Sequence, residues 1–161
     1  LDKYIKACHD ELGQLVAREA HLNAALLCSV DGLPVAYAAS IDIEADAIAA
    51  MCSSMLSLGD ALAIQGGDDE DCIQVVTQSR GHTVALIHAG PDMLLALMGS
   101  RELKLGMLLG HARKEVEIIV DLINKSKQEK KMSEQAKPAA EKKPALLEEL
   151  VKRVMQEAQN R

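Results

Sequence analysis

Between Ala45 and Ile64, apolar residues recur on two sides of a helical projection. Ile48, Cys52, Met55, Leu56, Gly59, Leu62 and Ala63 fall on one face, while Ala47, Met51, Leu58 and Ala61 fall on a second. One face can cover a sheet, and the other then calls for a partner. Burying a medium-sized apolar side chain is worth roughly 1.5–3 kcal/mol, so a few such residues suffice to drive association.

The rest of the chain supplies that sheet. Residues 2–20 place Ile5, Cys8, Leu12, Leu15 and Val16 at steps of three and four, predicting a one-sided amphipathic helix despite Gly13. Residues 24–30 and 33–38 are apolar runs joined by Asp31-Gly32, a hairpin signal that asks for positive φ at both turn positions. Pro34 cannot donate to a ladder and marks the second run as an edge strand or its first residue. Asp42, Glu44 and Asp46 suit the positive end of the two-sided helix, and Gly66-Gly67 marks its end. Residues 72–78 alternate as a half-buried strand, with Ile73, Val75 and Thr77 on one side. After the turn Ser79-Arg80-Gly81, residues 82–88 form another strand. Residues 93–98 are apolar on both sides, which places them in the middle of a covered sheet.

From Leu105, the positions Leu108, Leu109, Ala112, Val116, Ile119, Val120 and Ile123 trace a last helix. Three regions follow. Residues 1–125 form a folded domain, and 126–143, rich in Lys, Glu, Gln, Ala and Ser, a flexible charged linker. Residues 144–161 open at Pro144 and form an amphipathic helix whose Leu147, Leu150, Val151 and Val154 could dock on a partner.

Charge divides the same way. Residues 1–125 carry 9 basic against 18 acidic side chains, whereas residues 126–161 carry 9 against 6. A body of net −9 with no Trp or Phe and only Tyr4 and Tyr37 argues against binding nucleic acid through phosphates or base stacking. A protein partner is the better expectation. The basic tail reads as a solvated spacer in preference to a membrane-surface anchor. No run is judged long enough to span a bilayer and no leader pattern is seen. Cys8, Cys28, Cys52 and Cys72 form no Cys-x-x-Cys and read as reduced core residues, which suits a cytoplasmic location.

Catalytic and cofactor patterns are missing from the sequence. His9, His21, His82, His88 and His111 follow no metal-ligand spacing; His82 and His88 share one strand but stand too far apart for one ion. The acidic loop 67–71 lacks the alternating ligands, central Gly and terminal Glu of a calcium loop. There is no phosphate loop, dinucleotide fingerprint or nucleophile elbow. No enzyme activity, cofactor or metal is expected.

Ser29-Val30-Asp31-Gly32-Leu33-Pro34-Val35-Ala36, Met93-Leu94-Leu95-Ala96-Leu97 and Leu105-Gly106-Met107-Leu108 together resemble the hairpin, inner strand and helix start of the Roadblock family of dynein light chain type. The resemblance spans roughly residues 2–124. It implies an α+β fold of order αββαβββα, profilin-like, with a five-stranded antiparallel sheet. The two-sided helix lies on one face and the terminal helices on the other. It also implies a homodimer, with Ile48, Met51, Cys52, Met55, Leu58 and Leu62 as helix contacts and Cys72, Gln74 and Val76 on the pairing strand. Roadblock-like proteins commonly accompany small Ras-like GTPases as regulators or platforms, which makes such a GTPase the implied partner. Neither Arg80 nor Arg101 is identifiable as an arginine finger. Competing readings are a small-ligand sensory domain, a motor-complex scaffold subunit, and a cysteine hydrolase built on Cys28 or Cys72.

Overall fold

The computed structural model describes residues 2–67 and 72–159; beyond Glu129, side chains are described at residues 131, 132, 149, 152, 153, 155 and 156 alone. The chain divides into two units, Leu1–Ile123 and Asn124–Arg161. In chain order the elements are α1 (Asp2–Arg18), β1 (Leu22–Ser29), β2 (Pro34–Ala39), α2 (Ala45–Gln65), β3 (Gln74–Gln78), β4 (His82–His88), β5 (Met93–Ser100) and α3 (Leu105–Gln159).

The five strands form one antiparallel sheet in the order β2-β1-β5-β4-β3. Leu94, Leu95, Ala96 and Leu97 are all fully buried, so the strand expected to be apolar on both sides does occupy the centre. Pro34 opens β2, which is an edge strand, and its missing N–H therefore costs the ladder nothing. The period-two alternation divides the core into two layers. On one face Leu27, Leu95 and Leu97 pack against Leu12 and Leu15 of α1 and Leu108, Ala112 and Ile119 of α3. On the other, Leu26, Cys28, Leu86, Leu94 and Ala96 pack against Ala49, Cys52 and Leu56 of α2.

The β1–β2 hairpin departs from the expected turn. Gly32 alone takes positive φ, at 85°, and Asp31 does not. The Gly32 N–H donates to the Ser29 carbonyl at 2.9 Å, and the Ser29 N–H to the Leu33 carbonyl at 2.9 Å. Cys28 is opposite Pro34 with a register shift at Leu27/Cys28, so the loop is too long for a two-residue turn and closes through a left-handed glycine. A Cβ on Gly32 would stand 3.1 Å from the Ala50 Cα, so the same residue lets the hairpin tip lie against α2. The Ser53 hydroxyl adds a hydrogen bond to the Val30 carbonyl at this contact.

Residues 126–143, read from the sequence as a flexible charged linker, lie within the span of α3 and are helical in backbone. Their Lys, Glu, Gln and Ala content explains why: these are good helix formers even with little to bury. Helix α2 is, by length and composition, long and apolar enough to cross a membrane, contrary to the expectation that no run reaches that length. Its inner residues are nevertheless committed to the sheet, so the surplus apolar surface lies on its outer side.

Candidate docking face

Ala49, Cys52 and Leu56 of α2 are buried, and Ile48 and Met55 pack half-buried beside them. On the outer side Met51 is 55% exposed, Leu58 65% and Leu62 72%. Residues 51, 58 and 62 fall at steps of seven and four and share one stripe. The stripe runs on the flank of α2 that faces β3, because Gly59, on the next residue row, touches that strand. A Cβ on Gly59 would stand 2.9 Å from the Cys72 Sγ and 3.0 Å from the Val75 Cγ2. Asp60 reinforces the contact by accepting the Cys72 N–H at 2.8 Å through its Oδ1.

Beside the stripe lies an open sheet edge. Among the described residues, strand β3 pairs with β4 alone, leaving its other side without a ladder. Unpaired strand edges template pairing with a second chain. Ile73, just ahead of the strand, is 76% exposed. The outward apolar side chains on α2 thus lie on the flank toward the outer strand β3, with exposed Ile73 just ahead of it.

The expected contact residues separate into three groups. Met51, Leu58 and Leu62 are outward and available; Leu62, assigned by its spacing to the sheet-facing side, lies on the outer flank, beyond the last buried position Leu56. Ile48 and Met55 are half-buried at the border. Cys52 is 3% exposed and belongs to the core, where Ala49 and Leu56 flank it, so it offers a partner nothing. The strand residues shift too. Cys72 precedes β3, its thiol donating to the Gln74 carbonyl at 3.3 Å. Gln74 and Val76 are opposite Ile87 and Ala85, on the α1/α3 side of the sheet, so what they can offer at the edge is backbone. Ile64 and Ile73 add exposed apolar surface that spacing alone did not single out. Ile73 was expected to alternate into a strand, but pairing starts one residue later. The tail positions Leu147, Leu150, Val151 and Val154 lie outside the described side chains, as residues 68–71 of the acidic loop lie outside the described residues.

Other chemistry-bearing residues form no centre. Among the described residues no group of three or more His, Cys, Asp or Glu could hold a metal ion. Arg80 is exposed, and Arg101 is exposed with Glu102 at 3.8 Å; the Arg101 N–H donates to the Gly81 carbonyl at 2.9 Å, which brings the two loops together. The four cysteines are free. The neighbouring Cys52 thiol, with burial, pushes the Cys28 thiol well above its ordinary value, which keeps it protonated and poorly nucleophilic.

The Roadblock/LC7 domain model matches residues 9–98, more than half of the chain and nearly all of the sheet. The chain belongs to the Roadblock/LC7 family. A Roadblock/LC7 domain from Streptomyces avermitilis is similar at a TM-score of 0.66 and 29% identity, covering 71% of this chain and 96% of that one. The gliding protein MglB from Thermus thermophilus gives a TM-score of 0.68 at 18% identity, covering 76% and 92% respectively. Profilin II from Acanthamoeba castellanii gives 0.52 at 14% identity, covering 70% and 96%, so the fold is shared with profilins. Among curated proteins none matches this chain. The Roadblock/LC7 assignment accounts for the element order and for the two-layer core.

Proposed function

We propose that this Roadblock/LC7 chain is a non-enzymatic homodimeric platform that binds a small Ras-like GTPase and modulates its nucleotide cycle. The observation that carries the reading is the adjacency of the Met51–Leu58–Leu62 stripe to the free edge of β3. A two-fold axis beside β3 pairs that strand antiparallel with its own copy and lays α2 against α2. One rotation covers both liabilities at once. The resulting pair of α2 helices forms a broad ridge for a third chain. Its effect on the GTPase is limited to the difference in affinity for the two switch states. With Arg80 and Arg101 in solvated loops, the platform acts by ordering the GTPase's own catalytic groups. The four free thiols suit a reducing, cytoplasmic setting.

The test is sedimentation of the full chain at micromolar concentration, followed by capture of a small Ras-like GTPase loaded with GDP or a GTP analogue. A dimer that retains one nucleotide form in preference, and changes its hydrolysis or exchange rate, is expected. A stable monomer overturns the platform. A dimer indifferent to both nucleotide forms overturns the GTPase assignment and leaves a scaffold. Removing residues 126–161 tests the tail separately: unchanged GTPase affinity eliminates docking through Leu147, Leu150, Val151 and Val154.

A further inference from the structure

On the opposite side of the sheet, the seam between α1 and α3 encloses a carboxyl that the docking face does not use. Glu115 of α3 is fully buried. Its Oε2 accepts from the Arg18 guanidinium at a long 3.4 Å, and its Oε1 has no hydrogen-bond partner among the described residues. Arg18 is partly solvated and is shared with Glu11 at 3.8 Å. Cys8 and Tyr4 of α1 and Lys114 of α3 are the other titratable groups coupled to this spot. Farther along the seam His111 of α3 pairs with Glu19 at 3.3 Å, and His9 of α1 faces Tyr37 of β2. From the sheet, the residues packed beneath both helices, such as Leu22, Leu27, Leu95 and Leu97, are apolar.

A carboxylate in this position has one distant, divided counter-charge and a bare oxygen, whereas the neutral acid loses far less on burial. We propose that Glu115 is a proton-operated latch: protonated, it lets α1 and α3 close over the sheet, and on losing its proton it favours opening of that seam. Burial, followed by the Glu11 charge, pushes the carboxyl up to about 7, against the opposing pull of Arg18 and Lys114. Burial and the Glu115 charge push the Cys8 thiol to about 11, and burial raises Tyr4, so neither changes charge between pH 6 and pH 8. In an open seam the carboxyl returns toward its ordinary 4.5. The closed form therefore binds the proton more tightly, and opening becomes easier as pH rises from 4.5 toward 7. Above that range the effect levels off.

The experiment is amide hydrogen exchange on α1 in the full chain, corrected for the intrinsic pH dependence of exchange. The opening equilibrium is expected to rise by roughly tenfold between pH 6 and pH 8, and Glu115→Gln, which keeps the shape without the charge, is expected to flatten that response. His111→Gln should leave it in place. A carbon-13 titration of the Glu115 carboxyl in the unmodified chain keeps the test open should the variants not fold. A midpoint in the ordinary carboxylate range, or a response that survives Glu115→Gln, overturns the latch. Neither readout involves dimerisation or a GTPase, so failure here is distinct from failure of the platform.

Discussion

Replacing Leu58 with Ala examines the docking face where a change in the monomer's own stability is least able to imitate the result. Leu58 is 65% exposed, so the substitution removes three carbons of which about two thirds remain to be buried by a partner. At about 0.8 kcal/mol per buried carbon the loss is about 1.5 kcal/mol per copy, and an isologous interface counts it twice. The dimer should therefore weaken by about 3 kcal/mol, on the order of a hundredfold in dissociation constant. Summed on the same scale, Met51, Leu58, Leu62 and Ile73 in two copies supply about 8–16 kcal/mol before the β3 ladder is counted, against an association cost of about 4–15 kcal/mol. Micromolar association is thus within reach, but with little surplus. Loss of one leucine should be visible.

Sedimentation equilibrium across a concentration series measures the shift, and thermal unfolding at high dilution supplies the control. Because Leu58 contributes nothing to either core layer, unfolding of the monomer should change by no more than about 0.5 kcal/mol. A dissociation constant that stays put while the chain is dimeric would mean that the dimer is built elsewhere. The adjacency of stripe and edge would then carry no meaning.

Three further outcomes are expected. Leu97→Ala, at the centre of β5 and fully buried between sheet and terminal helices, should cost about 2–5 kcal/mol in chemical denaturation, far more than any stripe substitution. Gly59→Val should overpack the crossing of α2 over Cys72 and Val75 by about 1–3 kcal/mol and, by displacing β3, weaken self-association as well; unchanged stability and dimerisation would show that the crossing can relax. Alkylation at pH 8 under native conditions should label half-buried Cys72 well before the buried Cys28, and rapid labelling of Cys28 would reopen the case for a reactive thiol.

Periodicity made the fold legible because each strand and helix has a solvent side or a second core side to declare. The unbroken apolar run of β5 could belong only at the centre, and Pro34 could be tolerated only at an edge. Loop geometry was less visible. Asp31-Gly32 suggested a two-residue turn, but the Cys28–Pro34 pairing, a tertiary fact, decides the loop length. The same limit applies at the site. Helical spacing separates inner from outer positions near the middle of α2, where Cys52 and Leu58 point opposite ways. Leu62, four residues after Leu58, sits on the outer stripe by the same spacing, and Ile64 is exposed because no position of α2 beyond Leu56 is buried. Glu115 shows the limit most plainly. On the helical stripe it is an ordinary charged position beside Val116, and its burial arises because α1, a hundred residues away in sequence, lies across it.

The two faces of the sheet consequently do different physical work. The α2 face carries surplus apolar surface and an unfinished ladder, both of which favour adding polypeptide. The α1/α3 face is closed, yet its closure encloses an acid with one oxygen unanswered among the described residues. A buried acid within a finished seam makes that seam's stability depend on pH, while exposed leucines on the outer side of a helix make association depend on concentration. Separate layers of side chains separated by one sheet allow the two dependences to coexist in a small domain. Mutating the Leu58 side should leave the pH response of α1 untouched, since Leu94 and Leu95, adjacent in sequence, face opposite layers and share no partner. A Leu58→Ala chain whose α1 exchange no longer followed pH would show the layers to be coupled through β5 and would refute the division.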